Sequence, residues 1–354
     1  MSKSRVTTLA LTLLLATGAG CFGLGGSNEP APASGGVWLS DNNGSTWVAK
    51  SALPLPASVS SINGLDILAL EQDPSDASAV YLGSKTSGLF YSLDSGESWA
   101  RPEEKLAASG AVLAVEVDPR DVCTYYVLKT DRLLKTTSCG REFDVETYVE
   151  TRTDEFLTSM ALDWYSPNTV LLGTTQGDIL RSQDGGETWA AIFRAKNAIV
   201  DLEISNADSR IILAGTSSKG IYRTTDGGAI WVDSATALKP YSKSDKVYSL
   251  SQTESGDRIL LRSGYGLLFS DDSGTSWQNI NLVTSAGEVV VTAAEISPVN
   301  KNIMYYASGA TFYTSTSGGT AWSTTNLPSS RAASVIHVNQ GNPDQVFLGV
   351  RSVE

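Results

Sequence analysis

The sequence repeats one short pattern, S-x-D-x-G-x-T-W, at an interval that restricts the possible folds more than any other feature. The clearest copy occupies residues 182–189. Seven copies can be recognised, and their closing aromatic residues are Trp47, Trp99, Phe143, Trp189, Trp231, Trp277 and Trp322. These residues follow one another at steps of 52, 44, 46, 42, 46 and 45. A period of this length indicates an array of similar structural units.

Each position of the pattern has a physical role in a tight turn. The Ser or Thr hydroxyl and the Asp carboxylate can accept hydrogen bonds from backbone N–H groups. The glycine adopts a positive φ that a side chain would disfavour, and the tryptophan supplies a large apolar surface. We therefore predict a structural hairpin and not a ligand site. Its structural residues are Asn42, Trp47, Asp94, Trp99, Asp184, Trp189, Asp226, Trp231, Asp272, Trp277 and Trp322.

The residues before each copy follow a common plan of strands and turns. Before the copy that ends at Trp99, residues 67–71, 80–83 and 88–91 are apolar and separated by a turn at 73–76 and a glycine turn. Such runs predict three antiparallel strands, and a fourth, more polar strand follows the tryptophan. Each repeat therefore predicts one four-stranded antiparallel unit.

The two ends of the chain supply complementary parts of one further unit. Residues 335–338 and 346–349 predict a first and a second strand without a following copy of the pattern, whereas residues 36–47 supply a third strand and a copy. Joining them closes the array and removes its edge strands. We predict an all-β chain without helices: a single seven-bladed β-propeller over residues 36–354, with the N- and C-terminal segments completing one composite blade.

The repeated pattern resembles the Asp-box, or BNR, hairpin of β-propellers. Proteins with this hairpin include sialidases, sortilins, two-propeller xyloglucanases and the photosystem II assembly-factor family. The resemblance implies the propeller fold. It leaves the function open, because the proteins that share the hairpin include glycosidases as well as non-catalytic proteins.

The first residues have the features of a bacterial export signal. Lys3 and Arg5 precede an apolar run at residues 6–16, and a run of small residues ends at Cys21. This order is typical of a lipoprotein signal peptide. We predict a signal peptide at residues 1–20 and lipidation of Cys21. The apolar run is too short to span a membrane as a helix.

Residues 21–35 are rich in Gly, Ser, Pro and Ala, which predicts a flexible tether. Gly18 departs from the lipoprotein pattern, so an ordinary signal peptide cleaved near Ala19 is the alternative. The predicted location is extracytoplasmic, with the chain held by a lipid anchor in the periplasm or at the cell surface. The anchor would lie in the outer membrane if the envelope has one.

Composition excludes one class of partner and predicts one covalent link. The chain has 26 basic and 38 acidic residues, a net charge of −12 and no basic run, which argues against nucleic-acid binding. Cys123 and Cys139 fall in the same repeat, at two turns on the same side of the predicted blade. We predict a disulfide between them, with two unpaired thiols as the alternative.

No catalytic or cofactor site emerges from the sequence. His337 is the only histidine, so we predict neither a metal site nor a Ser-His-Asp triad, and we predict no cofactor. Four acids, Asp131, Asp154, Glu155 and Asp178, are placed on or near the loop-bearing face as solvated side chains without the spacing of an acid/base pair. The Arg-Ile-Pro segment expected of sialidases is absent.

We expect function on the face that carries the turns between second and third strands and the loops between blades. The candidate binding residues are Lys85, Arg132, Gln176, Lys219 and Tyr265. Arg152, Arg194 and Arg331 are expected to be scattered over different loops, without the arginine patch associated with the assembly-factor family. The predicted function is a monomeric, non-catalytic scaffold for a protein or glycan partner at the cell envelope. The alternative is a glycan-processing enzyme of the sialidase or xyloglucanase type.

Overall fold

A computed structural model describes residues 35–54, 61–285 and 287–353. The predicted signal peptide, Cys21 and residues 21–34 of the predicted tether lie outside this part of the chain. Among the described residues, no helix has the length and apolar character needed to cross a membrane.

The described chain forms seven antiparallel sheets, which confirms the predicted all-β propeller. The composite blade contains β1 (Val37–Ser40), β2 (Val48–Ala49), β26 (Ala332–Val338) and β27 (Val346–Arg351), and blade 1 contains β3 (Ile67–Gln72), β4 (Val80–Ser84) and β5 (Leu89–Ser92). Blade 2 contains β6 (Ala114–Val117), β7 (Tyr125–Leu128), β8 (Arg132–Thr136) and β9 (Asp144–Val149), blade 3 contains β10 (Leu157–Leu162), β11 (Val170–Thr174), β12 (Asp178–Ser182) and β13 (Ala190–Arg194), and blade 4 contains β14 (Ile199–Ile204), β15 (Ile212–Thr216), β16 (Ile221–Thr224) and β17 (Val232–Asp233). Blade 5 contains β18 (Val247–Gln252), β19 (Ile259–Ser263), β20 (Gly266–Ser270) and β21 (Gln278–Asn279), and blade 6 contains β22 (Ala293–Ile296), β23 (Met304–Ser308), β24 (Thr311–Ser315) and β25 (Ser323–Asn326).

The composite blade joins the two chain ends in the strand order β2-β1-β27-β26. β1 pairs antiparallel with β27, with Val37 opposite Gly349 and Ser40 opposite Val346. The first strand of every blade contacts the first strand of the next, and β26 contacts β3. The ring is therefore closed by strand pairing inside one blade, as predicted from the fragments at the two ends.

All seven copies of the repeated pattern make the same pair of backbone hydrogen bonds. The hydroxyl of the first residue accepts from the backbone N–H of the glycine four positions later, at 2.8–3.0 Å. The third residue accepts a second N–H at 2.8–2.9 Å. In two weak copies Ser138 and Ser317 take this second role in place of Asp. We call this unit the box turn.

The tryptophans of the box turns tie each blade to the one before it. The indole N–H of Trp99 donates to the carbonyl of Lys50 at 3.0 Å, and that of Trp189 donates to the carbonyl of Thr147 at 2.9 Å. Trp231 stacks on Phe193 of blade 3. The buried clusters likewise combine residues of neighbouring blades, so the core runs around the ring between the sheets.

Two local features depart from the prediction of four strands in every blade and no helix. In blade 1 the fourth strand is reduced to a bridge between Tyr91 and Ala100. After β17, the residues of α1 (Ala235–Leu238) form a single helical turn. This turn buries Leu238 against the core of blade 5. A helix this short is unstable by itself, and burial of the apolar side chain stabilises it.

Cys123 and Cys139 are joined by a disulfide in blade 2. Cys123 lies in the turn between β6 and β7, and Cys139 lies in the box turn. The backbone N–H of Cys139 also donates to the carbonyl of Cys123 at 3.0 Å. The link therefore fastens the two turns on one face of this blade.

Candidate functional site

The propeller has two distinct faces. The turns between first and second strands lie beside the box turns, as shown by the bond from the N–H of Gly185 to the carbonyl of Asn168 at 2.9 Å. The turns between second and third strands lie beside the loops between blades, as shown by the bond from the N–H of Gly220 to the carbonyl of Asp245 at 2.7 Å. We call these the box face and the loop face.

Four of the five predicted binding residues lie in turns between second and third strands, on the loop face, and Arg132 begins β8 directly after such a turn. The five are Lys85, Arg132, Gln176, Lys219 and Tyr265, in blades 1 to 5 in that order. They are spread around the face and do not form one cluster. Arg132 is paired with its neighbour Asp131 at 3.0 Å, and Tyr265 packs edge-on against Tyr241.

Gln176 borders a cleft of about 390 Å³ on the loop face, which we call the blade-three cleft. Its lining residues are Arg152, Glu155, Gln176, Asp178, Arg194 and Lys196. Arg152 donates from Nη1 to Asp178 Oδ2 at 2.7 Å, and Arg194 donates from Nη2 to the same oxygen at 2.8 Å. The expected scattering of arginines is therefore wrong for this pair, because one carboxylate gathers both. Arg331 lies apart and pairs with Asp66 at 2.8 Å.

The expectation of solvated acids holds for Asp131 and Asp154, whose side chains are exposed, and is wrong for Glu155 and Asp178, which are buried. The side chain of Asp178 is 2% exposed and that of Glu155 is 4% exposed. Hydrogen bonding from Arg194 and Arg152 lowers the pKa of Asp178, despite the opposing effect of burial. Asp178 is thus ionised at neutral pH and fixes the orientation of both guanidinium groups.

A second and larger constellation lies on the innermost strands, around the axis of the ring. One position of each first strand pairs with the second residue of the following strand, as Glu71 does with Tyr81 and Glu116 with Tyr126. Around the ring this position is occupied by Glu71, Glu116, Ala161, Glu203, Ser251, Glu295 and His337. Four of the seven blades therefore place a glutamate at the same level.

These side chains line two overlapping cavities, each of about 290 Å³. The cavity nearer the box face contains Glu71, Glu203 and His337, and the other contains Ser159 and Arg262. Both are lined by Glu116, Met160, Asp201, Leu250 and Glu295. The shared residues join the cavities into one central channel.

Burial dominates the electrostatics of the channel. It raises the pKa of Glu116 and of Glu295 to about 8, and that of Asp201 to about 6. Burial, with repulsion from neighbouring carboxylates, also raises the pKa of Glu71 and Glu203 well above the usual range. The four glutamates therefore hold protons near neutral pH, because burial disfavours their charged form. Asp201 loses its proton at a lower pH, because the backbone N–H groups of Leu250 and Leu202 and the charge of Arg262 favour its carboxylate.

Of the remaining polar groups of the channel, Arg262 compensates part of the charge of Asp201, although it makes no hydrogen bond to a carboxylate. Burial lowers the pKa of His337 to about 4, so its imidazole is neutral at pH 7. Arg262 donates from Nη1 to the carbonyls of Val291 at 3.1 Å and Thr292 at 3.0 Å, and from Nε to the Ser249 hydroxyl at 3.0 Å. Its donors are thus directed to neutral oxygens.

Sequence reasoning missed the channel acids, although a signal was present. Each glutamate of the ring stands two residues before the turn that ends its first strand, as Glu71 does before Asp73 and Glu295 before Ser297. An acid within an apolar innermost strand is unusual, and its recurrence at one register indicates a shared site. Trp164 also lines the channel, at the box face.

Across residues 35–54, 61–285 and 287–353, no three His, Cys, Asp or Glu side chains are placed to hold a metal ion together. The channel carboxylates are distributed over four blades and do not converge on one point. A ligand of the channel would therefore have to meet them at separate places along its length.

The chain matches no protein-family model and no curated protein sequence. Its fold is similar to solved propeller structures at low sequence identity. The GH74 xyloglucanase from Xanthomonas campestris matches with a TM-score of 0.64 and 15% identity, over 81% of this chain and 51% of the enzyme. The GH74 enzyme of Niastella koreensis matches with a TM-score of 0.62 and 15% identity, over 81% of this chain and 51% of that enzyme.

A second group of similar structures has a length close to that of this chain. The structure of YCF48 bound to D1 peptide matches with a TM-score of 0.62 and 17% identity, over 82% of this chain and 93% of that one. YCF48 from Cyanidioschyzon merolae matches with a TM-score of 0.58 and 16% identity, over 84% of this chain and 97% of that one. This chain thus spans about half the length of the GH74 enzymes. At these identities, the similarity establishes the propeller fold that the chain has in common with both groups.

Proposed function

We propose that this protein is a non-catalytic propeller that binds a protein partner at the cell envelope through its loop face, around the blade-three cleft. The observation that carries the proposal is a pair of exposed guanidinium groups held by the buried carboxylates of Asp178 and Glu150, with an exposed aromatic residue in the same loop as Arg152. Arg152 and Arg194 are 44% and 63% exposed, whereas the carboxylate of Asp178 beneath them is 2% exposed. Phe156, in the same loop as Arg152, is 49% exposed.

This arrangement suits recognition of a protein surface. Arginine and aromatic side chains carry much of the binding energy at protein interfaces. Guanidinium groups that are already held in place lose less conformational freedom when a partner binds. Lys196 and Gln176 add exposed polar groups at the cleft margin. Glu150, Glu155 and Asp178 balance the charges of the cleft's cations, so the partner surface that fits is polar with an apolar group opposite Phe156.

The proposal is also supported by the format of the similar structures. YCF48, whose structure contains a bound peptide, is matched over 93% of its length. The matched GH74 enzymes extend over about twice the length of this ring. A single ring is therefore a sufficient unit for peptide binding in one similar protein.

Affinity capture from detergent-solubilised membranes of the source organism tests the proposal. The bait is the wild-type protein, with Phe156→Ala/Arg194→Ala as the test variant. Tyr165→Ala is the matched control, because Tyr165 is an aromatic residue of the box face that is 60% exposed. We expect one partner to be retained by the wild type and the control and lost by the double variant. Equal capture by all three, or no capture by any, would contradict the proposal.

We also propose that the chain is exported and lipid-anchored through Cys21, on the basis of the signal pattern that precedes it. Metabolic labelling with a fatty acid checks this proposal. Label should be incorporated into the wild type and be absent from Cys21→Ser. Release of the unlabelled wild-type protein into the soluble extracytoplasmic fraction would favour cleavage near Ala19 instead.

A glycoside hydrolase is the second candidate, and the channel provides the observation that favours it. Glu116 and Asp201 line the same cavities and have pKa values of about 8 and about 6, a separation typical of an acid and a base. Hydrolysis of a xyloglucan oligosaccharide panel that is abolished by Glu116→Gln and by Asp201→Asn would support it. Absence of hydrolysis, or hydrolysis that survives both substitutions, would remove it.

A further inference from the structure

We propose that the loop face rests on a lipid bilayer at blade 6 and the composite blade, through an apolar groove that we call the valine groove. The groove encloses about 410 Å³, and its lining residues include Val289, Val290, Gly309, Ala310, Arg331 and Val353. This inference rests on the proposed lipid anchor at Cys21 and adds the orientation that the ring takes on the membrane.

The first reason is a local concentration of exposed apolar side chains. Val289 is 41% exposed, Val290 is 64% exposed and Val353 is 80% exposed. They are three of the twelve exposed large apolar residues in the part of the chain that the structure describes, and they line one groove. Gly309 and Ala310, in the turn between β23 and β24, are exposed beside them. Exposed apolar residues grouped in this way mark a surface that contacts a partner or a membrane.

The second reason is that hydrogen bonds hold the backbone on both sides of the groove. The Ser308 hydroxyl donates to the carbonyl of Val290 at 2.9 Å, which ties the loop before β22 to the end of β23. The backbone N–H of Ser352 donates to Asp66 Oδ1 at 2.7 Å, which fixes the chain immediately before Val353. The exposure of these valines is therefore a feature of the folded ring.

The third reason, which selects a bilayer as the occupant, is the position at which the predicted tether joins the ring. Gly35 is the first described residue, and a Cβ placed on it would come within 2.8 Å of Nη1 of Arg331, a lining residue of the groove. The flexible tether that composition predicts for residues 21–34 would have an end-to-end distance of roughly 20 Å. A lipid on Cys21 would therefore hold the bilayer close to the valine groove.

The charges around the groove are compatible with a bilayer surface. Arg331 is paired with Asp66 at 2.8 Å, so its charge is compensated. Glu288 and Arg351, which precede the exposed valines in the sequence, are both exposed and opposite in charge. The chain as a whole has a net charge of −12. Anionic lipids would therefore repel this balanced region less than they repel the rest of the surface.

Contact at the valine groove leaves the proposed binding site accessible. The blade-three cleft lies on the same face, but blade 3 is across the ring from blade 6 and the composite blade. A ring that touches the bilayer at the valine groove alone is tilted. The blade-three cleft then opens toward a partner that lies beside the membrane.

A polarity-sensitive dye attached at one of two valines tests the proposal. Because Cys21 carries the lipid and Cys123 is bonded to Cys139, Val290→Cys and Val48→Cys each add the single thiol to be labelled. Val48 is the matched control, since it is 59% exposed and directly follows the box turn of the composite blade. The full lipidated protein is reconstituted into vesicles of phosphatidylethanolamine and phosphatidylglycerol, with and without lipids that carry a nitroxide on the acyl chain.

We expect the dye at position 290 to shift its emission to the blue in vesicles and to be quenched by the nitroxide lipid. The dye at position 48 should show neither effect. Val289→Asp/Val353→Asp, added to Val290→Cys, should abolish the quenching and leave the melting temperature unchanged, because both substitutions are at exposed positions.

Equal quenching at both positions, or no quenching at position 290, would overturn the proposal. A blue shift at position 290 without quenching would show that a second copy of the chain covers the groove, and would overturn it as well. Absence of fatty-acid label from the wild type would remove the anchor and this inference together. Labelled protein without quenching at position 290 would remove this inference alone.

Discussion

Replacement of Phe347 by alanine tests how far the stability of the ring depends on its closure. Phe347 lies on β27, the last strand of the chain, and its side chain is 0% exposed. It packs in one buried cluster with Leu70, Leu82 and Trp99 of blade 1. The side chain therefore connects the C-terminal strand to the next blade around the ring.

The expected loss can be derived from this burial. Removing a fully buried phenylalanine side chain costs about 3–5 kcal/mol, which combines the lost transfer free energy and the cavity left behind. A loss of this size should lower the melting temperature by on the order of 5–10 °C. The measurement is urea unfolding followed by tryptophan fluorescence, with the disulfide kept oxidised.

The matched control is Val353→Ala, because Val353 follows β27 and is 80% exposed. We expect this variant to stay within about 0.5 kcal/mol of the wild type. If Phe347→Ala lowered the free energy of unfolding by less than about 1 kcal/mol, the C-terminal strand would contribute little to the fold. The physical interpretation of the composite blade as the closure of the ring would then be refuted.

Three further predictions concern the box turn, the disulfide and the channel. Ser182→Ala should cost about 1–3 kcal/mol in urea unfolding, because the buried N–H of Gly186 loses its acceptor, and Ser182→Thr should restore most of the loss. Cys123→Ser/Cys139→Ser should cost about 3 kcal/mol, since the link closes a loop with a separation of 16 residues, and thiol titration of the unfolded, unreduced wild type should find neither thiol free. The folded-state pKa of Glu116 is raised from 4.5 to about 8, so its contribution to stability is complete below pH 4.5 and lost as the pH rises through 8. Melting temperatures should therefore fall less between pH 5 and pH 9 in Glu116→Gln than in the wild type, and parallel curves would contradict this.

The blades could be predicted from the sequence because each repeat contains the residues that form its own turn. The hydroxyl, the carboxylate and the glycine of a box turn are within a few residues of one another, so their bonds are local. The two weakest copies illustrate the same point, since Ser138 and Ser317 accept the bond that Asp accepts elsewhere. Local chemistry therefore survives substitutions that weaken the pattern.

The candidate site was less predictable because it is assembled from distant repeats. Arg152 lies in the loop between blades 2 and 3 and Arg194 ends β13, and only the folded chain brings both to Asp178. The glutamates of the channel are also far apart in the sequence. Read singly, Glu116 or Glu295 looks like a solvated residue of an alternating strand.

The sequence by itself determined the number of blades, the box turns and the complementary chain ends, because these depend on short-range hydrogen bonding and on the alternation of apolar residues. Tertiary structure alone decided which side chains share the axis of the ring and which carboxylates are enclosed. Closing seven sheets into a ring places one face of every first strand against the same narrow space. In that space, burial and mutual repulsion raise the pKa values of the acids and couple their titration, which the sequence of each strand does not indicate.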